Sequence, residues 1–467
     1  MKWILSRLLY LLALSPGLLF AAEIDGTALS LSWSIPFVGI LLSIALFPLF
    51  AGQIWHHHFG KITALWTLLF LVPFAFAFGL HDTFAVIVHA LFGEYLPFII
   101  LIFSLYTISG GILVGGNLHG SPRLNVKLMS IGVLLASVMG TTGAAMLMIR
   151  PLLRANDNRK HRVHVVVFFI FLVANIGGGL TPLGDPPLFL GFLKGVGFFW
   201  TIWHMFLPVL LSTVALLTVF YYIDKYYFSK ETEILPVDPT PESMRYLEGK
   251  INFLLLGGVV LAVLISGIWK PGTLFHIMGT PIDLQNLFRD LVLIGLAVVS
   301  LKKTPRHVRE GNDFNWGPIQ EVAKLFAGIF LTIAPVLAIL RAGSEGSMAG
   351  LVAAVTHADG SPLNGMYFWM SGLLSGFLDN APTYLVFFNL AAGDAQVMMN
   401  NLPQTLVAVS MGSVFMGALS YIGNAPNFMV KAIADQRGVP MPSFFGYMGW
   451  SCAILLPWFV LLTLFFF

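Results

Sequence analysis

The sequence predicts an all-α polytopic membrane protein made of two inverted repeats, each with five transmembrane spans (one broken) plus a re-entrant helical hairpin. Three observations carry this expectation. The 467 residues are 57% hydrophobic and only 10% charged, with mean hydropathy +0.84, whereas soluble domains carry about a quarter charged residues. The phrase "LGDPPLF" at 183–189 nearly recurs as "IGNAPNF" at 422–428. The one long polar, Pro-bearing stretch, "SKETEILPVDPTPESMRYLEGK" at 229–250, falls at mid-chain.

Residues 1–22 carry Lys2 and Arg7 before a short apolar core and end in Ala21 and Ala22, which reads as a signal peptide or an uncleaved N-terminal anchor. Apolar runs then predict spans at 33–53, 61–79, 95–115, 161–194, 200–224, 251–269, 287–301, 318–341, 402–432 and 443–467. The tract "WHHHFG" at 55–60 reads as a short interfacial loop rather than a metal site. Residues 125–155 are apolar but not a simple crossing. Lys127 stands at one end and Arg150, Arg154, Arg159 and Lys160 at the other, so both ends prefer one side of the bilayer. With "MGTTGAAM" between them, the segment predicts a re-entrant hairpin, and 364–393, with the tip "LDNAPTY", predicts a second.

Starting outside, this order collects most Lys and Arg on the cytoplasmic side, including Arg123, Lys225, Lys230, Arg245, Lys302, Lys303, Arg306 and Arg437. The stretch 229–250 is then a cytoplasmic linker. It separates a first repeat, 30–228 (hairpin 125–155, broken helix 161–194), from a second, 251–467 (hairpin 364–393, broken helix 402–432). An odd number of spans per half turns the second half upside down, an arrangement common in secondary transporters.

The halves align at an offset of 239 residues, which pairs Thr181 with Ser420, Gly184 with Gly423, Asp185 with Asn424, Pro187 with Pro426, and Gly140 with Asp379. Gly184, Pro186, Pro187, Pro382, Gly423 and Pro426 are the expected helix breakers, because proline lacks an N–H and suits the first turn of a new helix. Unwound backbone survives at mid-membrane only where protein buries it or it lines a cavity. The breaks and tips are therefore expected to meet around one polar centre.

Asp185 and Asp379 are the acidic residues at these breaks. An ionisable side chain at mid-bilayer costs about 2.5–3.5 kcal/mol on insertion scales, which makes each a functional candidate, although either could instead cap the helix that follows. Thr141, Thr142, Asn175, Thr181, Asn380, Thr383, Ser420 and Asn424 add hydroxyl and amide oxygens nearby. Carboxylate, hydroxyl and carbonyl oxygens suit a hard cation, so Asp185 and Asp379 are candidate Na⁺ ligands, and a buried carboxylate can exchange Na⁺ for H⁺ at one site. Other chemistries find less support. No P-loop argues for an ATP-driven pump. The lone Cys452 excludes a disulfide framework or cysteine metal site. A net charge of +3 without a dense basic block excludes nucleic acid as a partner.

With "TTGAAMLMIRPLL", "NIGGGLTPLGDPPLF", "LDNAPTYL" and "SYIGNAPNF" in place, the chain resembles the ion transporter superfamily over 30–467. That superfamily includes NhaD-type sodium/proton antiporters, citrate and dicarboxylate carriers and arsenite permeases. Within it the chain is most similar to bacterial proteins labelled sodium/proton antiporter or citrate transporter. The resemblance implies a homodimer in the bacterial inner membrane, with a dimerising scaffold and a transport domain that slides like an elevator. The Ser-Asn-Thr tip signature of the dicarboxylate carriers is absent, which argues against a dicarboxylate. The expected activity is sodium/proton antiport, with Na⁺ and H⁺ as transported ions and no cofactor. The alternatives are Na⁺- or H⁺-coupled transport of citrate or another organic anion, an arsenite-type permease, and an intramembrane enzyme using the aspartate pair.

Overall fold

The computed structural model describes residues 25–116, 118–231 and 246–467. The expected signal or anchor segment at 1–22 and most of the 229–250 linker lie outside them. The described chain is almost entirely helical, with two small antiparallel strand pairs, Leu113–Gly115 with Tyr246–Glu248 and Thr273–Ile277 with Thr280–Asp283.

Seven described helices are long and apolar enough to cross a membrane, or eight when Gly317–Thr332 and Ala334–Arg341, bent by 41°, count as one span. The sequence predicts ten spans, and the difference has local causes. Residues Gly52–Ser109 form one helical run where two spans were expected. Its bend lies at Gly79, whose φ of 88° and ψ of 163° leave the helical region. The two broken spans survive only as short apolar pieces, Val163–Gly179 and Pro403–Leu419. Pro122–Met139, an arm of the first expected hairpin, is long enough to be counted among the seven.

Two boundaries are corrected. Ala51 alone turns the chain between Ile35–Phe50 and Gly52–Val88, so the His56–His58 tract forms helix instead of a loop. The span expected at 95–115 ends at Ser109, because Leu113–Gly115 leaves the helix to pair with Tyr246–Glu248 at the end of the linker.

The helices around the breaks follow from their termini. Ser121 accepts from Leu124 N at 3.3 Å and Pro122 opens Pro122–Met139. That helix stops at Gly140 and restarts as Thr141–Ala155. The second hairpin repeats this, with Asn364–Leu378, a stop at Asp379 and Asn380–Ala391. Val163–Leu172 is apolar nearly all round and buried along its length, as a helix inside a bundle should be. A 3₁₀ turn at Ile176–Gly179 and irregular backbone to Asp185 follow, before Pro186–Leu193. In the second half Pro403–Phe415, the 3₁₀ turn Met416–Leu419 and Ala425–Gln436 take the same order.

The first hairpin is tied at its base by a buried ionic cluster. Arg159 donates to Asp224 at 2.6 Å and to Glu231 at 3.2 Å, His164 bonds Asp224 at 2.8 Å, and Asn125 donates to Asp224 at 2.9 Å. Among the described residues the second hairpin's base has no such cluster; there Thr405 donates to Asn364 at 2.7 Å and Arg341 donates to Asn389 at 2.8 Å.

Candidate functional site

The two breaks share a backbone. Gly140 has φ 80° and ψ 151°, and Asp379, 239 positions on, has φ 87° and ψ 140°. Asp185 (φ −146°, ψ 146°) matches Asn424 (φ −152°, ψ 137°) at the same offset. The hydrogen bonds that hold the breaks recur too. Thr181 Oγ1 donates to Ser137 O at 2.5 Å, and Ser420 Oγ donates to Gly376 O. The same hydroxyls accept from Leu183 N at 3.1 Å and Ile422 N at 3.2 Å. Each break also crosses its own 3₁₀ turn closely. A Cβ on Gly184 would lie 2.3 Å from Gly178 O, and one on Gly423 would lie 2.5 Å from Gly417 O. Only glycine fits such an approach.

Asp185 sits where these pieces meet, 2% exposed. Its Oδ1 accepts from Thr141 Oγ1 at 2.8 Å and from Asn424 Nδ2 at 3.2 Å, and its Oδ2 accepts from Asn380 Nδ2. Thr141 N also donates to Gly184 O at 2.8 Å. The carboxylate therefore binds one side chain from the first hairpin tip, one from the second and one from the opposite break. It makes no cap to the helix it precedes. No Lys, Arg or His among the described residues pairs with it. Thr141 and Asn380 each begin a helix, and Asp185 and Asn424 each stand immediately before one without capping it, so four helix N-termini gather there. Their partial positive charge offsets part of the cost of burying a carboxylate without a counter-charge.

An amide chain runs on from this point. Asn424 Nδ2 also donates to Ala174 O at 3.0 Å and lies 3.4 Å from Asn175 Oδ1. Asn175 Nδ2 donates to Ile170 O at 2.8 Å and to Asn427 Oδ1 at 2.7 Å. Asn427 Nδ2 closes the chain on Gly417 O and Ser420 O, both at 2.9 Å. Asn427, the second asparagine of "IGNAPNF" at 422–428, thus joins the candidate residues that the sequence names.

Asp379 is half-buried, and its Oδ1 accepts from Ala381 N at 3.4 Å, a long cap to its own helix. Its neighbour Asn380 is the one that reaches Asp185, while Asn380 Oδ1 is buried with no partner. Thr383 donates to Asp379 O at 2.8 Å, within its helix. Thr142 lines an interior cavity of about 50 Å³ with Thr141, Gly140, Gly184, Asp185, and Phe98 to Tyr106 of the helix Leu96–Ser109. Pro186, Pro382 and Pro426 stand in the first turns of the helices after the breaks, as their missing N–H allows. Among the described residues no three His, Cys, Asp or Glu gather in a metal-binding group, so a cation at Asp185 would draw on hydroxyl and amide oxygens.

Comparison with known proteins fits this architecture. A family model described as "Putative citrate transport" matches residues 26–467. A protein of Mycobacterium bovis named "Uncharacterized transporter" is 24% identical over 339 residues, covering 69% of this chain and 72% of its own length, and a Mycobacterium tuberculosis protein of that description matches equally. A "46 kDa membrane protein" of Mycobacterium leprae is 22% identical over 329 residues, with the same coverage. The resemblance to the ion transporter superfamily agrees with these matches, and the chain, a multi-pass membrane transporter, belongs to the family described as "Putative citrate transport".

Proposed function

We propose that the protein exchanges Na⁺ for H⁺ across a bacterial inner membrane, with Asp185 as the residue that holds either ion in turn. One observation carries the reading: a fully buried carboxylate is held by three neutral side chains from three elements and has no protein cation beside it. Such a group is costly unless a proton or cation neutralises it. The unpartnered Asn380 Oδ1 and the Thr141 hydroxyl supply further oxygens next to it. Asp379 stands one residue from Asn380 and serves as a second, more accessible cation ligand. The recurrence of both breaks at one offset supports two inverted halves that contribute one tip and one broken helix each. The proposal extends to a homodimer in which hairpins and broken helices slide against a scaffold.

A second reading, coupled transport of citrate or another organic anion, has its own support in the four converging helix N-termini and in the family's description. The cavity beside Asp185, about 50 Å³, favours an ion over a tricarboxylate, since organic ligands occupy pockets of roughly 300–1,000 Å³. Proteoliposomes carrying an internal pH dye decide between the readings. Antiport predicts that external Na⁺, with no organic anion present, drives proton movement. Proton movement that appears only when citrate is added would replace antiport with anion transport.

A further inference from the structure

A second polar cavity of about 410 Å³ lies away from Asp185, between the segment Phe192–Trp200 and the facing ends of Ile251–Ile268 and Leu284–Lys303. Its volume is in the range of small-ligand sites, roughly 300–1,000 Å³. Three of its lining residues carry a buried polar atom with no partner: Arg289 Nη2, Gln285 Oε1 and Trp200 Nε1. Arg289 is 1% exposed; its Nε donates to Asp290 at 2.8 Å and its Nη1 to Asn286 at 3.2 Å, which leaves Nη2 unused. Buried polar groups are almost always satisfied, so three orphans around one ligand-sized space need an explanation.

Charge and exposure narrow the ligand. Lys270 also lines the cavity and makes no ion pair with any described residue. Asp283 lines it as well and accepts from Thr273 at 2.9 Å. Of the two lining cations, Arg289 is already paired with Asp290 behind the wall, and Lys270 shares the lining with the Asp283 carboxylate, so the charges balance as they stand. A ligand with both a negative and a positive group keeps that balance, whereas a bare anion does not. Part of the wall is apolar and open outward: Phe199 is 52% and Ile268 is 75% exposed, both on helices long enough to span. Trp203, 79% exposed, and Trp269, 44% exposed, stand at the same helix ends, as aromatic residues do where a bilayer meets water.

We propose that this cavity binds the headgroup of a zwitterionic aminophospholipid. The phosphate meets Arg289 Nη2, Trp200 Nε1 and Lys270, the ammonium meets Gln285 Oε1 and the Asp283 carboxylate, and the acyl chains run out past Phe199 and Ile268. The proposal is independent of which ion Asp185 carries.

Native mass spectrometry of the purified full chain, titrated with phosphatidylethanolamine, phosphatidylcholine or phosphatidylglycerol, tests it. Phosphatidylethanolamine should be retained best, because only it offers both a phosphate and ammonium N–H donors. Trp200→Phe and Lys270→Gln should each weaken its retention about tenfold or more, the scale of one hydrogen bond to a charged group, and Arg289→Gln should do so more strongly. The first two variants remove no buried ion pair, so they stay informative if Arg289→Gln fails to fold. Equal retention of the three lipids, preference for phosphatidylglycerol, or unchanged retention in Trp200→Phe and Lys270→Gln would overturn the proposal. Soluble O-phosphoethanolamine that raises the melting temperature as much as the lipid does would overturn the lipid as the source.

Discussion

At residue 140 the first hairpin turns on a glycine, and at residue 379 the second makes nearly the same turn on an aspartate. At the broken helices the exchange runs the other way, with Asp185 in the first half and Asn424 in the second. Each half thus supplies one carboxylate, from non-equivalent positions. The difference matters energetically. Backbone with φ near 87° and ψ near 140° is close to glycine-only territory, and a side chain there costs about 1–3 kcal/mol. Retaining an aspartate where the other half has an unstrained glycine points to a use for that carboxylate beyond folding. Asp185, by contrast, sits on ordinary extended backbone, and its cost is electrostatic. One scaffold therefore holds two acids, one strained and half-buried, the other relaxed and sealed.

The largest effect that tests this comparison is expected from Asp185→Asn. The amide is nearly isosteric and removes the buried charge, so expression and melting temperature should hold or rise. Na⁺-driven proton movement should fall by about a hundredfold or more, the scale of losing 3 kcal/mol of interaction with a charged ligand. Near-normal proton movement from this variant would remove Asp185 from the mechanism. Asn424→Asp comes next and asks whether the acid can stand in the other half. It cannot do so cheaply, because Asn424 donates to Ala174 O and lies against Asn175 Oδ1. A carboxylate there would face acceptors and the charge of Asp185, so the variant should be destabilised by about 3 kcal/mol. A melting temperature equal to that of the parent would show that the asymmetry is not imposed by packing.

How much of this was legible without coordinates follows from the same residues. The breaks were legible because glycine and proline act on the backbone locally, and because the 239-residue offset tied two weak signals together. The hairpin arms and the short pieces after Asp185 and Asn424 start and stop within a few residues of where the breakers put them. What stayed hidden depends on partners distant in sequence. That Asn380 and Asn424 donate to Asp185 is a contact between segments about 200 residues apart and leaves no local trace. The strand Leu113–Gly115 finds Tyr246–Glu248 across a shorter but still long gap, with three residues too few to show an alternating pattern. The helical run through Gly52–Val88 was hidden for the opposite reason. Histidines at 56–58 suggested a loop by polarity alone, although Trp55 beside them is buried with its Nε1 bonded to Glu321 at 3.3 Å.

Asp379→Gly probes the strained side of the comparison, and it should move stability and activity in opposite directions. Copying the first half's glycine relieves the backbone and gives up only a long cap at 3.4 Å. A net gain of about 1 kcal/mol is expected, seen as a higher melting temperature. Transport should nonetheless drop, because the tip has lost its carboxylate. If the aspartate only capped its helix, Asp379→Asn would transport normally, since asparagine caps as well as aspartate. A stabilised Asp379→Gly with full activity would mean that the strain serves no transport role.

The smallest expected effect on transport tests the equivalence on which the comparison depends. Thr181 and Ser420 do the same task in the two halves. Each hydroxyl donates to a carbonyl of the adjacent hairpin arm, Ser137 O or Gly376 O, and accepts from the amide two residues on. Thr181→Ala and Ser420→Ala should therefore destabilise by similar amounts, about 1–2 kcal/mol each for two modest hydrogen bonds. The threonine variant loses slightly more because a methyl group goes as well. Neither hydroxyl touches Asp185, so transport per folded molecule should change little in either. The double variant should cost the sum of the two, because each bond pair is confined to its own half and distant sites add. Thermal denaturation of the three variants in one detergent measures this directly. A cost confined to one half would mean that the two breaks share a shape but not the forces that hold it, and the carboxylates could then not be compared position for position.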